Sequence, residues 1–393
     1  MNKKITLGLA LSLVAIASAV TFILTSFFTL QSFNKKIVDV NEKSKKYNAL
    51  NTLDAYVRDN YYGDINENDL TNGILKGYVA GVGDKYSRYL TEDEFKDEVA
   101  RDNGEQIGLG LTISEDPSGY IRIVSVLPDS PAEDEGIKPD DIIVRVEGLD
   151  VIEAGFQESA NAMSGSEGAS VNMTIRRNGV DRDYTFVRRS IEIKSVSGEM
   201  LNGYYGYIRI TAFRKNTPEQ FLEVLGRLTS NGAKALIFDL RDNGGGLTGA
   251  LEECLDPLLP EGVMATAEYK DGHTETLIYS DESMLDLPII ILVNENTASS
   301  AEMFAACLRD VHGAKLIGVK TYGKAVMQQS AGFSNGGAIV LTVAVCKTAK
   351  SETYNGIGLI PDVIIENSTD SETDEQYNAA VAAAASAVAE AAA

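Results

Sequence analysis

The order of hydrophobic and polar residues divides the chain into regions with different periods, and the first region is a long apolar run. Residues 5–33 contain no charged residue and follow Lys3 and Lys4. About 20 apolar residues suffice for a helix to cross a bilayer core of roughly 30 Å, so this run is long enough to be a membrane span. A cleavable signal peptide has a shorter apolar core of about 7–15 residues, and this run continues well past Ala17-Ser18-Ala19, which could mimic a cleavage site. We predict an uncleaved transmembrane anchor within residues 1–34, with a signal segment as the alternative.

The next region has a helical period. Apolar side chains between Leu50 and Val57 recur at helical spacing, and residues 70–82 form a second periodic run. A third run begins with Thr91-Glu92-Asp93-Glu94, the pattern of a capping box at a helix start. We therefore predict a helical N-terminal region over residues 35–103.

The period then changes to one that is typical of strands. Runs rich in β-branched residues, separated by Gly, Pro and Asp, predict strands at 109–113, 121–126, 141–146, 171–175 and 184–187. Two short helices fit between them, at 131–135 and near 153–163. These elements predict a self-contained, β-rich unit over residues 104–190.

Strands and helices alternate in the region that follows, which is typical of an α/β sheet. The predicted strands are 205–210, 235–239, 288–293, 315–319, 337–345 and 361–365, and the predicted amphipathic helices are 218–229, 248–255 and 299–311. We predict an α/β core over residues 191–366 and an α+β class for the whole chain. Residues 367–393 end in an Ala-rich run, and we assign this low-complexity tail a helical propensity but no function.

The net charge and the numbers of His and Cys residues disfavour several classes of function. The 393 residues include 35 Lys and Arg against 57 Asp and Glu, and the resulting charge of -22 disfavours binding to nucleic acid. The chain has two His and three Cys, without an HExxH or CxxC pattern, so it lacks the usual residues for a zinc site or a Ser-His-Asp triad. Cys254, Cys307 and Cys346 lie singly in apolar segments and are predicted to be buried thiols. We expect neither a metal nor a cofactor.

Ser299 lies where a predicted buried strand gives way to a helix. With Glu302 three residues later, it matches a capping box, a local device that satisfies free amides and requires no reaction. A hydroxyl at a helix N-terminus also lies where free N–H groups can stabilise an oxyanion. The two interpretations are compatible.

Lys324 is the candidate base for a serine nucleophile in a chain that is poor in histidine. Burial disfavours an ammonium ion, so a buried lysine can lose its proton near neutral pH and accept one from a hydroxyl. Lys324 follows a predicted strand beside apolar and aromatic residues, without an acidic neighbour within several positions. The alternative is an ordinary turn lysine.

Residues 332–336 match the Gly-x-Ser-x-Gly pattern of a nucleophile elbow. That elbow leads from a strand into a helix, whereas a predicted strand follows here. We predict a hairpin turn.

Several motifs resemble those of one protein family. Residues 294–302, followed 25 residues after Ser299 by Lys324 and then by Gln328, resemble the serine-lysine centre of the C-terminal processing peptidases, also called tail-specific proteases. Residues 84–90 resemble the motif that ends the helical N-terminal region of this family, 238–246 its Asp-Leu-Arg-Asn-Asn-Pro-Gly-Gly turn, and 356–362 its closing motif. The β-rich unit resembles its PDZ domain. The resemblance extends from about residue 45 to 366.

The resemblance implies a role for each site residue. Ser299 would be the nucleophile, Lys324 the general base, and Gln328 the group that orients the lysine. The backbone N–H groups of Ser300 and Gly245 would form the oxyanion hole. Lys324 and Gln328 would lie about 13 Å apart on a regular strand, so the chain should bend between them.

The PDZ resemblance implies a peptide-binding site. A peptide would add as a strand to the sheet edge, and backbone amides of the loop Gly108-Leu109-Gly110-Leu111 would hold its terminal carboxylate. The helix near residues 153–163 would form the other wall of the groove.

Three residues depart from the family pattern. Gly244 stands in place of Pro, Ala325 in place of a common Gly, and Ser300 directly follows Ser299, so the nucleophile could be misassigned by one position. No catalytic side chain is lost.

Together these features predict a membrane-tethered, extracytoplasmic serine endopeptidase that binds protein or peptide substrates through their C-terminal tails. The alternative is a PDZ-bearing surface peptide-binding protein with an inactive protease-like core. The sequence leaves open the oligomeric state, including a homo-oligomer.

Overall fold

The computed structural model of the protein describes residues 44–281, 284–350, 353–367 and 373–391. The predicted anchor, residues 1–34, lies outside these ranges. Within them, no helix combines the length and the apolar character that crossing a membrane requires. The chain divides into two compact units, Met1–Ile74 and Leu75–Ala393.

The first unit is helical where it is described. Helix α1 covers residues 44–60, and α2, Glu67–Ala80, begins in this unit. Arg58 of α1 forms ion pairs with Asp54 and with Glu67, at exposed positions where such pairs stabilise little. The predicted helical N-terminal region is confirmed for these residues.

In the second unit, a short strand and a capped helix follow the end of α2. Strand β1 is Arg88–Leu90 and helix α3 is Glu92–Asn103. The predicted capping box is confirmed, since the Thr91 N–H donates to Glu94 Oε2 at 2.8 Å and the Glu94 N–H donates to Thr91 Oγ1 at 3.3 Å. The sequence analysis did not predict β1, which pairs with a strand of the α/β core.

The β-rich unit contains every strand and helix that the sequence predicts for it. Its elements are β2 (Glu105–Gly108), β3 (Leu111–Glu115), β4 (Ile121–Val126), α4 (Pro131–Asp134), β5 (Ile142–Val146), β6 (Leu149–Asp150), α5 (Val151–Ala154), α6 (Phe156–Met163), β7 (Ser170–Arg177), β8 (Val180–Val187) and β9 (Arg189–Glu192). The sheet has the order β3-β4-β5-β7-β8, and β2 pairs with β9. Alternate side chains such as Ile121, Ile123 and Ile143 are fully buried because successive residues of a strand point to opposite faces. Strand β3 lies at the edge of this sheet.

A second sheet forms the centre of the α/β core. Its region contains β10 (Val196–Leu201), β11 (Tyr205–Ile210), α7 (Thr217–Ser230), β12 (Ala235–Asp239), α8 (Thr248–Leu255), β13 (Gly262–Tyr269), β14 (Thr274–Ser280), β15 (Ile289–Val293), α9 (Ser300–Cys307), β16 (Lys315–Gly318), β17 (Val326–Gly332), β18 (Ala338–Thr348), β19 (Val363–Ile364) and α10 (Glu375–Ala391). The order is β10-β11-β12-β15-β16-β19, parallel from β11 onward. Every residue of β12 and β15 is buried, as expected for strands covered on both faces.

Helices cover both faces of this sheet. Phe221 of α7, Leu251 of α8 and Phe304 of α9 are buried in one hydrophobic cluster. On the other face, Ala380 and Ala384 of α10 are fully buried and pack with Ile237 and Leu292. The tail to which the sequence analysis assigned no function therefore contains a helix that completes the core.

A third sheet is antiparallel and was mostly missed by the sequence analysis. It has the order β1-β18-β13-β14, and β17 also pairs with β18. Only β18 was predicted. The turn at residues 332–336 connects β17 to β18, so the predicted hairpin is confirmed and the nucleophile elbow is excluded at this position.

The predicted state of the cysteines is also confirmed. Cys254, Cys307 and Cys346 are buried free thiols. Burial raises the pKa of each, that of Cys346 to about 11. All three are therefore protonated and unreactive at neutral pH.

Candidate active site

The candidate site forms where three neighbouring parallel strands end. Loops follow the carboxyl ends of β12, β15 and β16, and in an open α/β sheet ligands bind beside these ends. A cavity of about 240 Å³, here called the site cavity, is lined by Ser299, Lys324 and Gln328. The structure thus brings together the three side chains that the sequence predicts. Arg88, Glu98 and Asp102 line the same cavity, as do apolar residues including Leu247, Leu277, Met303 and Met327.

Ser299 has a strained backbone conformation. It precedes α9 with φ of 57° and ψ of -121°, in a region that non-glycine residues rarely occupy. Such a residue costs about 1–3 kcal/mol and persists where its surroundings hold it, often at functional sites. Its loop is held by Thr297, whose hydroxyl donates to Leu240 O at 2.9 Å, and by the Ala298 N–H, which donates to Asn243 O at 2.9 Å.

Ser300 has a different environment from Ser299. Its residue is buried, and its hydroxyl donates to the carbonyl oxygen of Gly246 at 2.8 Å. Ser300 is also the first residue of α9, where backbone N–H groups have no acceptor within the helix. The hydroxyl is therefore engaged, the N–H group has no acceptor within the helix, and its role as an oxyanion donor stays a prediction.

The fully buried side chain of Glu302 connects the Ser299 loop with the Lys324 loop. Its Oε2 accepts from the N–H groups of Ser299, at 3.0 Å, and Lys324, at 2.8 Å. Its Oε1 accepts from the Gly323 N–H at 2.7 Å and from the Thr321 hydroxyl. One carboxylate therefore fixes the backbone at both candidate catalytic residues.

The side chain of Lys324 is half-buried at the site cavity. Its Nζ lies 4.9 Å from the centre of the Tyr86 ring. Burial, and then the positive charge of Arg88, lower the pKa of Lys324, against smaller opposing effects of Tyr322, Asp84 and Glu302. The direction is the one that a general base requires.

The closing motif, residues 356–362, holds the loop that carries Lys324, residues 321–324, through backbone hydrogen bonds. The Gly356 N–H donates to Gly323 O at 2.8 Å, and the Thr321 N–H donates to Leu359 O at 3.1 Å. A Cβ atom at Gly358 would lie 2.3 Å from Thr321 O. A side chain at that position would displace the loop that carries Lys324.

Gln328 reaches the site cavity from β17. A register shift between Met327 and Gln328 interrupts the pairing of β17 with β18, which supplies the irregularity expected between Lys324 and Gln328. The side-chain amide of Gln328 donates to Thr342 Oγ1 at 3.2 Å and to Val326 O at 3.4 Å. The structure places Gln328 beside the cavity but engages its Nε2 with these two groups, so its role in orienting Lys324 stays a prediction.

Gly245 lies against the candidate nucleophile. A Cβ atom there would be 2.8 Å from Ser299 Cβ and 2.9 Å from Ser300 N, and φ is 99°, so only glycine fits. Its N–H donates to Asn243 Oδ1 at 2.8 Å. The Gly245 turn therefore packs against Ser299, its N–H group is engaged by Asn243, and its role as an oxyanion donor stays a prediction.

The predicted peptide-binding loop lies between β2 and β3. Gly108 ends β2, and Gly110 has φ of 75° with no room for a Cβ atom, which would lie 2.2 Å from Ser130 Cβ. The side chain of Leu109 is buried in the core of the β-rich unit, whereas Leu111 is only partly buried at the start of β3. Leu109 can thus offer a peptide its backbone but not its side chain.

The sequence analysis missed residues that reach the site from distant segments. Tyr86 and Arg88 were placed in a helical region, and Asp84 and Ser87 of the same motif connect to β18, where the Thr342 N–H donates to Ser87 Oγ at 3.0 Å. The resemblance of residues 84–90 to a family motif was the available signal. It did not indicate which side chains would face Lys324.

The chain is similar to known protein families and to several named proteases. The profile of Peptidase family S41 matches residues 204–365, and that of the PDZ domain matches residues 122–177. The carboxy-terminal processing protease CtpA of Bacillus subtilis (strain 168) is 32% identical over 358 residues, which cover 90% of this chain and 76% of that protein. A probable CtpA-like serine protease of Staphylococcus aureus (strain MRSA252) is 29% identical over 353 residues, covering 88% and 71%. A solved photosystem II D1 C-terminal processing protease is 23% identical, with a TM-score of 0.49, and the match covers 78% of this chain and 84% of that one.

Proposed function

The chain belongs to the carboxy-terminal processing proteases of peptidase family S41, and we propose that it is a serine endopeptidase whose catalytic dyad is Ser299 and Lys324. The observation that carries this assignment is the joint position of the two side chains at the site cavity, with their backbones held by the buried carboxylate of Glu302. The lowered pKa of Lys324 supports the role of general base.

The proposed reaction proceeds through an acyl-enzyme. Ser299 Oγ attacks the carbonyl carbon of the scissile peptide bond while Lys324 Nζ takes its proton. The tetrahedral intermediate collapses as Lys324 returns that proton to the leaving amine. Water, deprotonated by Lys324, then attacks the ester carbon, and the proton goes back to Ser299 as the acid product leaves.

Backbone amides would stabilise the oxyanion of this intermediate. Ser300 is the first residue of α9, and the turn that contains Gly245 packs directly against the Ser300 backbone nitrogen. We assign the two donors to Ser300 and Gly245. Because Gly245 N–H already meets Asn243 Oδ1, substrate binding must draw that amide toward the oxyanion.

The sequence departures are compatible with an active enzyme. Gly244 can replace Pro because the turn is held by other contacts, including the Phe213 N–H bond to Gly245 O at 2.9 Å. Ala325 is buried and leaves Lys324 at the cavity. The engaged hydroxyl of Ser300 favours Ser299 as the nucleophile.

We further place the catalytic part outside the cytoplasm, tethered to the membrane by the apolar run at residues 5–33. A chain anchored in this way should remain with membranes through a high-salt wash and be released by detergent. Release by high salt alone would contradict the anchor.

The assignment is tested with unstructured peptides that end in apolar residues. The full chain in detergent should cleave them, and Ser299→Ala should lower kcat/KM by more than about 10⁴-fold, because the dyad acts as a unit. Ser334→Ala, at an exposed position of the β17–β18 hairpin, is the matched control and should cleave normally. Full activity of Ser299→Ala with loss in Ser300→Ala would move the nucleophile by one position, and a wild-type chain that only binds the peptides would favour the inactive surface-binding protein.

Replacing Gln328 with Ala should reduce activity only in part. Its amide is held by Thr342 and Val326, so the substitution removes a group beside the base without exposing a buried charge. We expect a fall in kcat of about 10-fold, equivalent to roughly 1.4 kcal/mol, with little change in KM. Thr342→Val, which removes the acceptor, should reproduce part of this loss. A Gln328→Ala variant as inactive as Ser299→Ala would make Gln328 a member of the dyad's essential unit.

The β-rich unit should bind peptides by their terminal carboxylate. Hydrogen bonds to charged groups contribute about 1.5–3 kcal/mol, so amidating the peptide should weaken binding by about 10-fold or more. Binding is measured by fluorescence anisotropy with the full-length Ser299→Ala chain, which cannot process the ligand. Gly110→Ala, which clashes with Ser130, should weaken binding of the free acid, and Val180→Ala, at an exposed position of the same unit, serves as its control. Equal affinities for the free-acid and amidated peptides would contradict carboxylate recognition.

A further inference from the structure

An exposed lysine is held in a fixed position beside the candidate active site. Lys85 Nζ lies 4.7 Å from the ring centres of both Tyr86 and Tyr322, and it donates to the Tyr322 hydroxyl at 3.1 Å. These contacts, first with Tyr86 and then with Tyr322, raise the pKa of Lys85. The side chain is therefore a cation at neutral pH, and two aromatic rings restrict its movement.

This cation has no carboxylate partner within ion-pair distance among the residues that the structure describes. Three basic side chains near Lys85 in the sequence are paired: Lys76 with Glu94, Arg88 with Glu98, and Lys96 with Glu92. In a chain with a formal charge of -22, acidic side chains are abundant, yet the interactions of Lys85 with the described residues are with two aromatic rings and a hydroxyl. A cation that is held in position without a carboxylate partner can bind an anionic ligand.

Lys85 is close enough to the catalytic base to contact a bound substrate. Its Nζ and that of Lys324 both lie within 5 Å of the centre of the Tyr86 ring, so the two amines are at most about 10 Å apart. An extended peptide advances about 3.3 Å per residue. A group on the substrate within about three residues of the scissile bond can therefore reach Lys85.

The Tyr322 hydroxyl supplies a second donor at the same position. It accepts one N–H bond from Lys85 and keeps its own proton for another acceptor. The ammonium of Lys85 carries three N–H bonds, one of which goes to the Tyr322 hydroxyl. A carboxylate, with two acceptor oxygens, matches this pair of donors.

We propose that Lys85 and Tyr322 form a subsite for a carboxylate of the peptide substrate, within about three residues of the scissile bond. The proposal rests on the proposed function. The carboxylate belongs either to an Asp or Glu side chain or to the C-terminus of the substrate. In both cases the subsite makes the enzyme select peptides that carry a negative charge near the cleaved bond.

The test uses matched peptides with the full chain. Asp or Glu is placed at successive positions up to three residues on either side of the scissile bond, with Asn or Gln peptides as neutral counterparts, and each peptide is made with a free or an amidated terminus. We expect the best acidic peptide to exceed its neutral counterpart about 10-fold in kcat/KM, mainly through KM. Lys85→Gln should reduce this ratio to about one, and Tyr322→Phe should reduce it in part. Lys96→Gln, an exposed lysine of α3, is the control and should leave the ratio unchanged.

The arms separate the two sources of the carboxylate. If the wild-type chain still prefers internal Asp or Glu when the peptide terminus is amidated, the subsite binds a side chain. If amidation lowers kcat/KM for the wild-type chain but not for Lys85→Gln, the subsite binds the C-terminus. If Lys85→Gln leaves the ratio of kcat/KM for the acidic and neutral peptides unchanged, the proposal is overturned. This includes the case in which Lys85→Gln lowers kcat/KM equally for all peptides.

Failure of the proposed function gives a different result. If the wild-type chain cleaves no peptide, the binding of an amidated acidic peptide and its neutral counterpart is compared on the full chain with and without Lys85→Gln. Tighter binding of the acidic peptide that depends on Lys85 retains the subsite, and equal affinities overturn it.

Discussion

Replacing Lys324 with Arg is expected to lower kcat/KM by at least about 10³-fold, although the positive charge at the site cavity is kept. The proposed base must exist as a neutral amine to accept the proton of Ser299, and guanidinium does not lose its proton in proteins. Nucleophile and base act as one unit, so loss of either removes most of the catalysis. The rate of peptide cleavage, measured with folding checked by thermal unfolding, tests this expectation.

The matched control is Lys320→Arg, an exposed lysine four residues earlier on the same connection. It should cleave peptides at the wild-type rate. If Lys324→Arg also retains a near-normal rate, Lys324 is not the base, and its charge instead positions the substrate or the loop.

The pH dependence of acylation tests whether the surroundings of Lys324 lower its pKa, as proposed. Because burial and the charge of Arg88 lower the pKa of Lys324, the neutral form appears below the ordinary value of 10.5, and single-turnover acylation should rise with pH along one ionisation below that value. Arg88→Gln removes a positive charge that disfavours the ammonium form. The midpoint should then move to higher pH.

The sequence was most informative where a strand or helix has a buried face. Strands β12 and β15 are continuous apolar runs, and α7 has an apolar stripe that includes Phe221 and Leu228, so period and length predict these elements. Strand β14 was missed because it lies at the edge of its sheet and begins with three exposed residues, Thr274, Glu275 and Thr276. Alternation cannot be recognised where few side chains are buried.

Candidate catalytic residues could be proposed from the sequence because their types and spacing resemble a known family. The residues that hold them in position could not be predicted in this way. Glu302 fits a local capping box with Ser299, and that interpretation is correct for one of its bonds, yet its other partners lie at residues 321–324. Tyr86 and Arg88 reach Lys324 because β1 pairs with β18, a contact between segments about 250 residues apart. No local pattern encodes such pairing.

Replacing Glu302 with Gln is expected to remove most of the activity although the residue touches no substrate. Each oxygen of the carboxylate accepts two bonds, so an amide must turn its NH₂ group toward one pair of donors: either the Ser299 and Lys324 N–H groups, or the Gly323 N–H and the Thr321 hydroxyl. Each buried donor left without an acceptor costs about 1–3 kcal/mol. We expect kcat to fall about 10²-fold or more and thermal stability to decrease, because the loops that carry both catalytic residues lose their common tie.

The pH profile of the residual activity distinguishes this positioning role from general destabilisation. The negative charge of Glu302 favours the ammonium form of Lys324, so its removal should lower the pKa of the base further and shift the midpoint of acylation to lower pH, opposite to the shift expected for Arg88→Gln. Glu252→Gln is the matched control, because Glu252 accepts a backbone bond from the Tyr279 N–H at 2.9 Å and is not among the residues that line the site cavity. It should leave both the rate and the midpoint unchanged. A Glu302→Gln variant with wild-type kcat, or with reduced kcat and an unmoved midpoint, would show that the carboxylate does not position the dyad.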